Sequence, residues 1–433
     1  MFKKNKFRKS IIALMIALTC SISLTSGAGA AQAASQINSY QDNKLNLDVK
    51  SAIAIDANSG QVLYAKNANK TLPIASMTKL ITIYLTLEAI KNKTISWDTK
   101  VEPTSEIVKV ANNLEYSNVP LKKGHLYTVR QLYQATLIES ANGAAMCLAQ
   151  AVSGSQVAFV KKMRAQLVKW GIKDAKIYTV CGLPNGNLGK AAYPGVSKNA
   201  ENTMSAVDMA IVGQKLLAKY PEVLKTTKIA HMNFKDGNSN TTMINFNWML
   251  KGLSQYDSSL KVDGLKTGTT DAAGACFIGT IKKNGGRLIT VVMGAKHADG
   301  TDPSRFVQTK KLLNYIYANY TPVVLSKNTK INNHETMKVI DGQALSIPIG
   351  LNKKTTLWDP VDGKKLSSSM KYSSVEAGVA KGQIVNSYRF KSGSTKLISI
   401  DNPKQMEVQA KALQGTNKAN IFVRIWRWII GKE

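Results

Sequence analysis

Acidic side chains are scarce in this chain. Its 433 residues hold 27 Asp and Glu against 58 Lys and Arg, a formal net charge of +31. Inside a cell such a surplus would point to nucleic acid as a partner. Histidine is scarcer still. The four, His125, His231, His297 and His334, show no metal-ligand spacing, and none is placed to serve a serine as base. Cysteines also number four. Cys20 lies in an N-terminal apolar run, and the other three, Cys147, Cys181 and Cys276, are an odd number for a disulfide framework. They read as small buried apolar residues, though one pair among them can still form. No internal repeat or low-complexity block stands out.

The N-terminus explains the charge differently. Lys3, Lys4, Lys6, Arg8 and Lys9 precede an apolar stretch from Ile11 to Leu24, and residues 27–34 are small, with A-x-A cleavage sites. That is the pattern of a secretory signal peptide over residues 1–34. An uncleaved anchor is the alternative, but the apolar stretch is short for a spanning helix. Loss of those five basic residues leaves a net charge of +26. An exported protein meets anionic lipid headgroups and acidic wall polymers, so these are the expected polyanions rather than nucleic acid. A solubility device without a specific partner is the other reading.

About 400 mature residues exceed one compact core, so two domains are expected. Two strands, Ser51 to Ile55 and Gln61 to Tyr64, flank a turn at Asp56 to Gly60. Helices are expected from Ala75 to Ile90, Val129 to Leu148 and Ala206 to Leu217. Strands return at Lys261 to Thr267, Cys276 to Lys282 and Leu288 to Gly294, with Lys283 to Gly286 as a hairpin turn. A helix from Pro303 to Tyr317 closes the region. Helices between terminal strands predict an α/β or α+β domain on an antiparallel sheet, over residues 35–320. Short strands at Leu345 to Ile349, Thr355 to Trp358, Gln383 to Val385 and Lys396 to Ile400 predict a small all-β domain, residues 321–412. Residues 413–433 form a C-terminal amphipathic helix. Ile421, Phe422, Ile425, Trp426, Ile429 and Ile430 share a broad apolar face opposite Arg424 and Arg427. This suits a helix lying in a membrane interface. Docking on the protein's own core is the alternative.

Three strings carry chemistry: Ser76-Met77-Thr78-Lys79, Ser140-Ala141-Asn142 and Lys266-Thr267-Gly268. Each alone reads equally well as a helix cap, a helix-boundary loop or a strand end. Together they supply a serine acyl-transfer site that has no histidine. Ser76 is the nucleophile, and Lys79, three residues on and on the same helix face, is the base. Burial and a second cation, Lys266, are expected to lower the Lys79 pKa. Ser140 relays a proton toward the leaving nitrogen. Asn142 holds the nucleophile's lysine or the substrate's peptide oxygen. The edge at Lys266, Thr267, Gly268 and Thr269 fits an extended peptide, and the N–H groups of Ser76 and Thr269 form an oxyanion hole.

These strings are the signature shared by penicillin-binding proteins and class A β-lactamases. The chain resembles the low-molecular-mass penicillin-binding proteins of the serine-type D-alanyl-D-alanine carboxypeptidase family. The likeness is carried by Ile74 to Leu80, Glu139 to Gly143, Val262 to Gly268, Gly182 to Asn185, Ser205 to Met209, Asn247 to Leu250 and Arg305-Phe306. It covers nearly the whole mature chain, including the β domain and terminal helix. Ala141 stands where members often have Gly, and Thr269 where some have His, which puts substrate preference in doubt and not the reaction. The resemblance implies a penicillin-binding/β-lactamase-type fold and removal of the terminal D-Ala from peptidoglycan stem peptides through an acyl-enzyme. It further implies covalent inhibition by β-lactams, no cofactor or metal, and Lys266 and Arg305 as partners of the substrate carboxylate. A peripheral position on the outer face of the cytoplasmic membrane, through the C-terminal helix, completes the expectation. A β-lactamase, a wall endopeptidase or an inactive envelope-binding protein are the competing readings.

Overall fold

The structure is a computed structural model and describes Ile37, residues 45–364 and residues 366–431. The signal peptide read over residues 1–34 lies outside the described residues. Strands β1 (Ser51–Asp56) and β2 (Val62–Lys66) form the first hairpin, closed by Asp56, whose Oδ1 accepts the N–H groups of Asn58 and Ser59 at 2.9 and 2.6 Å. The chain then enters a 3₁₀ turn, Ala75–Thr78, that runs into α1 (Lys79–Lys91). Helix α1 is buried on nearly every face, as its run from Leu80 to Leu87 with few polar groups requires.

Thr104 caps α2 (Ser105–Ala111), and Thr128 with Gln131 forms a capping box on α3 (Val129–Ile138). Helices α4 (Asn142–Ser153) and α5 (Gln156–Lys169) follow, then α6 (Ala206–Lys219), started by a second capping box of Ser205 and Asp208. A hairpin of β3 (His231–Asp236) and β4 (Ser239–Ile244) precedes three long strands, β5 (Val262–Thr270), β6 (Gly274–Lys283) and β7 (Gly286–Ala295), and helix α7 (Ser304–Asn319).

The main sheet has the order β2-β1-β7-β6-β5 and is antiparallel throughout. Both faces are covered, so its strands are apolar on both sides. On β1, Ile53 and Ile55 face the large helical core around α1, while Ala52 and Ala54 face a second core under α7. The same alternation holds on β6, with Cys276 and Ile278 on one side and Ala275 and Phe277 on the other.

Two helix expectations need correction. The helix from Val129 to Leu148 is broken. It stops at Ile138 and restarts at Asn142, with Ser140 between them in the left-handed region at φ 57°. The helix from Ala75 begins as the 3₁₀ turn, not as α-helix. Helices α2 and α5 and the β3–β4 hairpin are absent from the sequence reading altogether.

The β domain contains β8 (Tyr320–Leu325), β9 (Thr336–Ile340), β10 (Ser346–Leu351), β11 (Thr355–Pro360), β12 (Leu366–Met370), β13 (Ser374–Glu376), β14 (Ile384–Ser392) and β15 (Glu407–Ala412). Strands β8 and β11 pair with each other. The larger sheet runs β12-β14-β15-β10-β9-β13, with Thr395–Lys396 paired on β14. Lys396 to Ile400, expected as a strand, is strand only at its start. The two domains share a core: Trp358 of β11 is fully buried among residues of the main sheet and α7. Its Nε1–H donates to Asp56 at 2.9 Å, and its backbone exchanges two hydrogen bonds with the Gln61 side chain at 2.8 Å each.

Helix α8 (Ile421–Ile429) has no buried residue. It rests on the β domain by its polar side. Arg424 pairs with Asp341, and Arg427 donates to the carbonyls of Gly342 and Gln343. The apolar face points outward, with Phe422 79% and Trp426 62% exposed. The arginines, expected to face lipid headgroups, are engaged by the protein itself. Among the described residues no single helix is long and apolar enough to cross a membrane.

Candidate active site

The 3₁₀ turn is what joins Ser76 to Lys79. In that tighter helix residues three apart are eclipsed, so the two side chains stand directly over one another. Lys79 Nζ lies 2.7 Å from Ser76 Oγ, 2.7 Å from Asn142 Oδ1 and 2.7 Å from the Cys181 carbonyl oxygen. An amine has three such directions in its ammonium form, and here each is filled. The side chain is fully buried, and that burial brings its pKa down to about 8. The Cys181 group opposes the shift. Lys266 is also buried and is held well below the ordinary lysine range, first by desolvation and then by the charges of Lys79 and Arg305. Burial is the first cause of both shifts, and the two buried lysines disfavour one another's charge.

The residue before Ser76 and Ser140 itself sit in left-handed backbone that only glycine adopts freely: Ala75 at φ 45° and Ser140 at φ 57°. Such conformations cost about 1–3 kcal/mol each and persist where surrounding contacts enforce them. At Ala75 the contact is Gly182, where a Cβ would lie 2.0 Å from the Ala75 carbonyl oxygen. At Ser140 the break between α3 and α4 turns the residue into the cleft wall beside Ser76. Asn142 opens α4, and its N–H and Nδ2 both donate to the Ser117 carbonyl at 3.0 Å, which leaves Oδ1 for Lys79.

Strand β5 forms the opposite wall. Thr267, Gly268 and Thr269 line the cleft, while Lys266 lies buried behind them with its Nζ 3.2 Å from the Thr267 carbonyl. Gly268 allows the approach: a Cβ there would fall 2.6 Å from the Ile74 oxygen and 3.2 Å from the Ser76 nitrogen. Arg305, from the first turn of α7, donates to the Gly268 and Cys276 carbonyls at 3.0 and 3.2 Å and to Thr269 Oγ1 at 2.7 Å. It braces the edge and lines the cleft at once. The cleft measures about 350 Å³.

All nine residues singled out in the sequence therefore gather around this cleft. Others were missed. Cys181 supplies a carbonyl acceptor that no side-chain motif announces. Asn202 clamps Thr78 and the 178–179 segment through four hydrogen bonds. Glu115, Phe246, Trp248 and His297 line the cleft from loops remote in sequence. A glycine before Leu183-Pro184 was the one local signal, since it marks a tight backbone approach. The three remaining cysteines are free and buried, and the described residues hold no cluster able to bind a metal ion.

Known proteins share the sequence and fold of this chain. A family model described as D-alanyl-D-alanine carboxypeptidase matches residues 36–297. The D-alanyl-D-alanine carboxypeptidase DacC of Escherichia coli is 28% identical over 393 residues, covering 89% of each chain. The crystal structure of a peptidoglycan synthesis regulatory factor, PBP3, from Streptococcus pneumoniae superposes with a TM-score of 0.72 at 35% identity, covering 86% of this chain and 100% of that one. Penicillin-binding protein D2 of Listeria monocytogenes, solved with cefotaxime bound, is 31% identical with a TM-score of 0.51, over 63% of this chain and 98% of its own. A match across residues 36–297 that takes in all three strings of the cleft makes this chain a member of the D-alanyl-D-alanine carboxypeptidase family.

Proposed function

We infer that this protein is a serine D-alanyl-D-alanine carboxypeptidase of peptidoglycan metabolism in which Ser76 is the nucleophile and Lys79 its base. The observation that carries the assignment of roles is the set of three contacts at Lys79 Nζ, each 2.7 Å. When the amine is neutral, Asn142 and Cys181 hold its two N–H groups and its lone pair is left facing Ser76. Ser76 O–H then donates to Lys79 and attacks the carbonyl between the two terminal D-alanines. The carbonyl oxygen is received by the N–H groups of Ser76 and Thr269. The proton passes from Lys79 through Ser140 to the departing D-Ala nitrogen. Water, deprotonated by Lys79, then releases the shortened peptide from the ester.

The substrate carboxylate fits the end of the cleft formed by Thr267, Thr269 and Arg305, with Lys266 buried behind them. β-Lactams, which present a carboxylate and a strained amide in similar relation, acylate the same serine. The exported location follows from residues 1–34, and the outward apolar face of α8 supports peripheral attachment to the membrane. Replacement Ser76→Ala tests the core of the reading. D-Ala release from a D-Ala-D-Ala peptide should fall by at least about a thousand-fold, and labelled penicillin should no longer attach. A penicillin adduct that maps by mass spectrometry to another serine would discard the assignment.

A further inference from the structure

Three lysines of the β domain converge from three separate segments of chain. Gly350 of β10 makes the approach possible. A Cβ there would lie 2.5 Å from the Asn328 carbonyl oxygen, so the segment after β8 crosses directly over it. The crossing is fixed: Asn328 N–H donates to the Leu351 carbonyl at 2.9 Å, and Leu351 N–H to the Thr329 carbonyl at 3.0 Å. Lys327 immediately precedes it. Lys411 of β15 stands opposite Gly350 in the sheet register, and opposite Ile384 of β14 on its other side. Lys381 arrives just before β14, where Gly382 N–H donates to the Ala412 carbonyl at 2.8 Å and Ala412 N–H to the Gln383 carbonyl at 2.9 Å. Lys327 and Lys381 are exposed, and Lys411 is half-buried.

Loss of solvent, then the charge of Lys327 within hydrogen-bonding reach, then the charge of Lys381 hold the Lys411 amine below the ordinary lysine range. Ammonium groups only donate, so such neighbours cannot satisfy one another. The domain supplies no acceptor either. Among the described residues its ion pairs engage Lys364, Lys371, Arg389, Lys418 and Arg424. Glu407 shares the outward face of β15 with Lys411, but Lys371 and Arg389 already hold it at 3.0 and 2.8 Å. Lipid headgroups are out of reach. Helix α8 rests on Gly342 and Gln343, at the other end of β10, and Leu345 to Gly350 spans about 17 Å of extended strand. That is about twice the screening length at physiological salt. Lysine meets phosphate as a point charge and needs no planar fork. We propose that Lys327, Lys381 and Lys411 form a docking site for an acidic wall polymer whose repeats carry phosphate. The site would hold the enzyme against the wall from a face separate from both the cleft and α8.

The test measures binding of full-length protein to a fluorescent oligomer of glycerol phosphate at physiological salt. Polyglutamate of equal length and phosphatidylglycerol vesicles are the other arms. The triple change Lys327→Gln, Lys381→Gln and Lys411→Gln should weaken oligomer binding by about a hundred-fold. The triple change Lys338→Gln, Lys391→Gln and Lys404→Gln removes the same net charge from exposed positions elsewhere in the domain. It should weaken binding by less than about three-fold. Both variants should release D-Ala from small peptides at the wild-type rate, since neither set touches the cleft. In the wild type, bound oligomer should shield the first three lysines, and not the second three, from acetic anhydride, read by mass spectrometry. That pattern decides the matter even where a variant fails to fold. Absence of oligomer binding, equal losses in the two variants, tighter binding of polyglutamate, or a loss confined to the vesicles overturns the proposal.

Discussion

A lysine takes a proton from a serine only in molecules where its amine is neutral. With the pKa of Lys79 brought to about 8 by burial, about a tenth of the molecules qualify at pH 7. The acylation rate should therefore climb about ten-fold from pH 7 to well above pH 8 and then level. Stopped acylation with a chromogenic β-lactam measures this directly. Asn142→Asp places a carboxylate where a neutral amide oxygen now sits 2.7 Å from Nζ. The added negative charge favours the ammonium, so the midpoint should rise by about one to three pH units. A flat profile in the wild type, or an unmoved midpoint in the variant, would remove Lys79 from the role of base. Two of the groups gathered at Lys79 Nζ were readable because Ser76 and Asn142 carry their own polar side chains. The Cys181 carbonyl was not, since any residue type offers the same backbone oxygen.

At the scale of elements, the serine turn depends on its neighbours more than on its own sequence. Gly182→Ala would set a methyl group 2.0 Å from the Ala75 oxygen and 2.9 Å from the Ser76 nitrogen, at a backbone φ of 88°. Something must move, and the nearest movable part is the 3₁₀ turn that aims Ser76 at Lys79. The variant should lose on the order of a hundred-fold in acylation, the penalty for about an ångström of misplacement. Far-UV circular dichroism would show the fold retained. Acylation within two-fold of wild type would mean that the turn holds its shape unaided. The strands of the main sheet were legible because a sheet covered on both faces needs apolar residues throughout. The break at Ser140 was not, because the apolar pattern runs on across it: Leu137, Ile138, Ala141, Ala144 and Ala145 are all core. Only the left-handed φ of Ser140 stops the helix, and that is a tertiary demand. The β3–β4 hairpin was hidden for the opposite reason, since only Phe234 and Met243 in its strands are fully buried.

For the whole molecule, the change of texture near residue 320 coincides with the start of β8 at Tyr320, but the packing of that segment on the main sheet was not legible. Trp358 belongs by sequence to the β domain and by packing to the catalytic core, which joins the two through a buried indole rather than a linker. The terminal helix then continues this fixed frame. Because Arg424 and Arg427 hold it to Asp341, Gly342 and Gln343, its apolar face is presented outward in one orientation. Burying the large side chains of that face in a lipid interface would contribute roughly 1.5–3 kcal/mol each before the cost of ordering. The anchoring should accordingly be apolar in origin and work on neutral lipid. Full-length protein should float with phosphatidylcholine vesicles, and protein lacking residues 420–433 should not. On anionic vesicles the truncated protein should keep a residual, salt-sensitive attachment through the chain's basic surplus. Both proteins should hydrolyse small peptides alike, since the catalytic cleft lies wholly within residues 76–306. Equal flotation of the two on neutral vesicles would show that the exposed face meets something other than lipid.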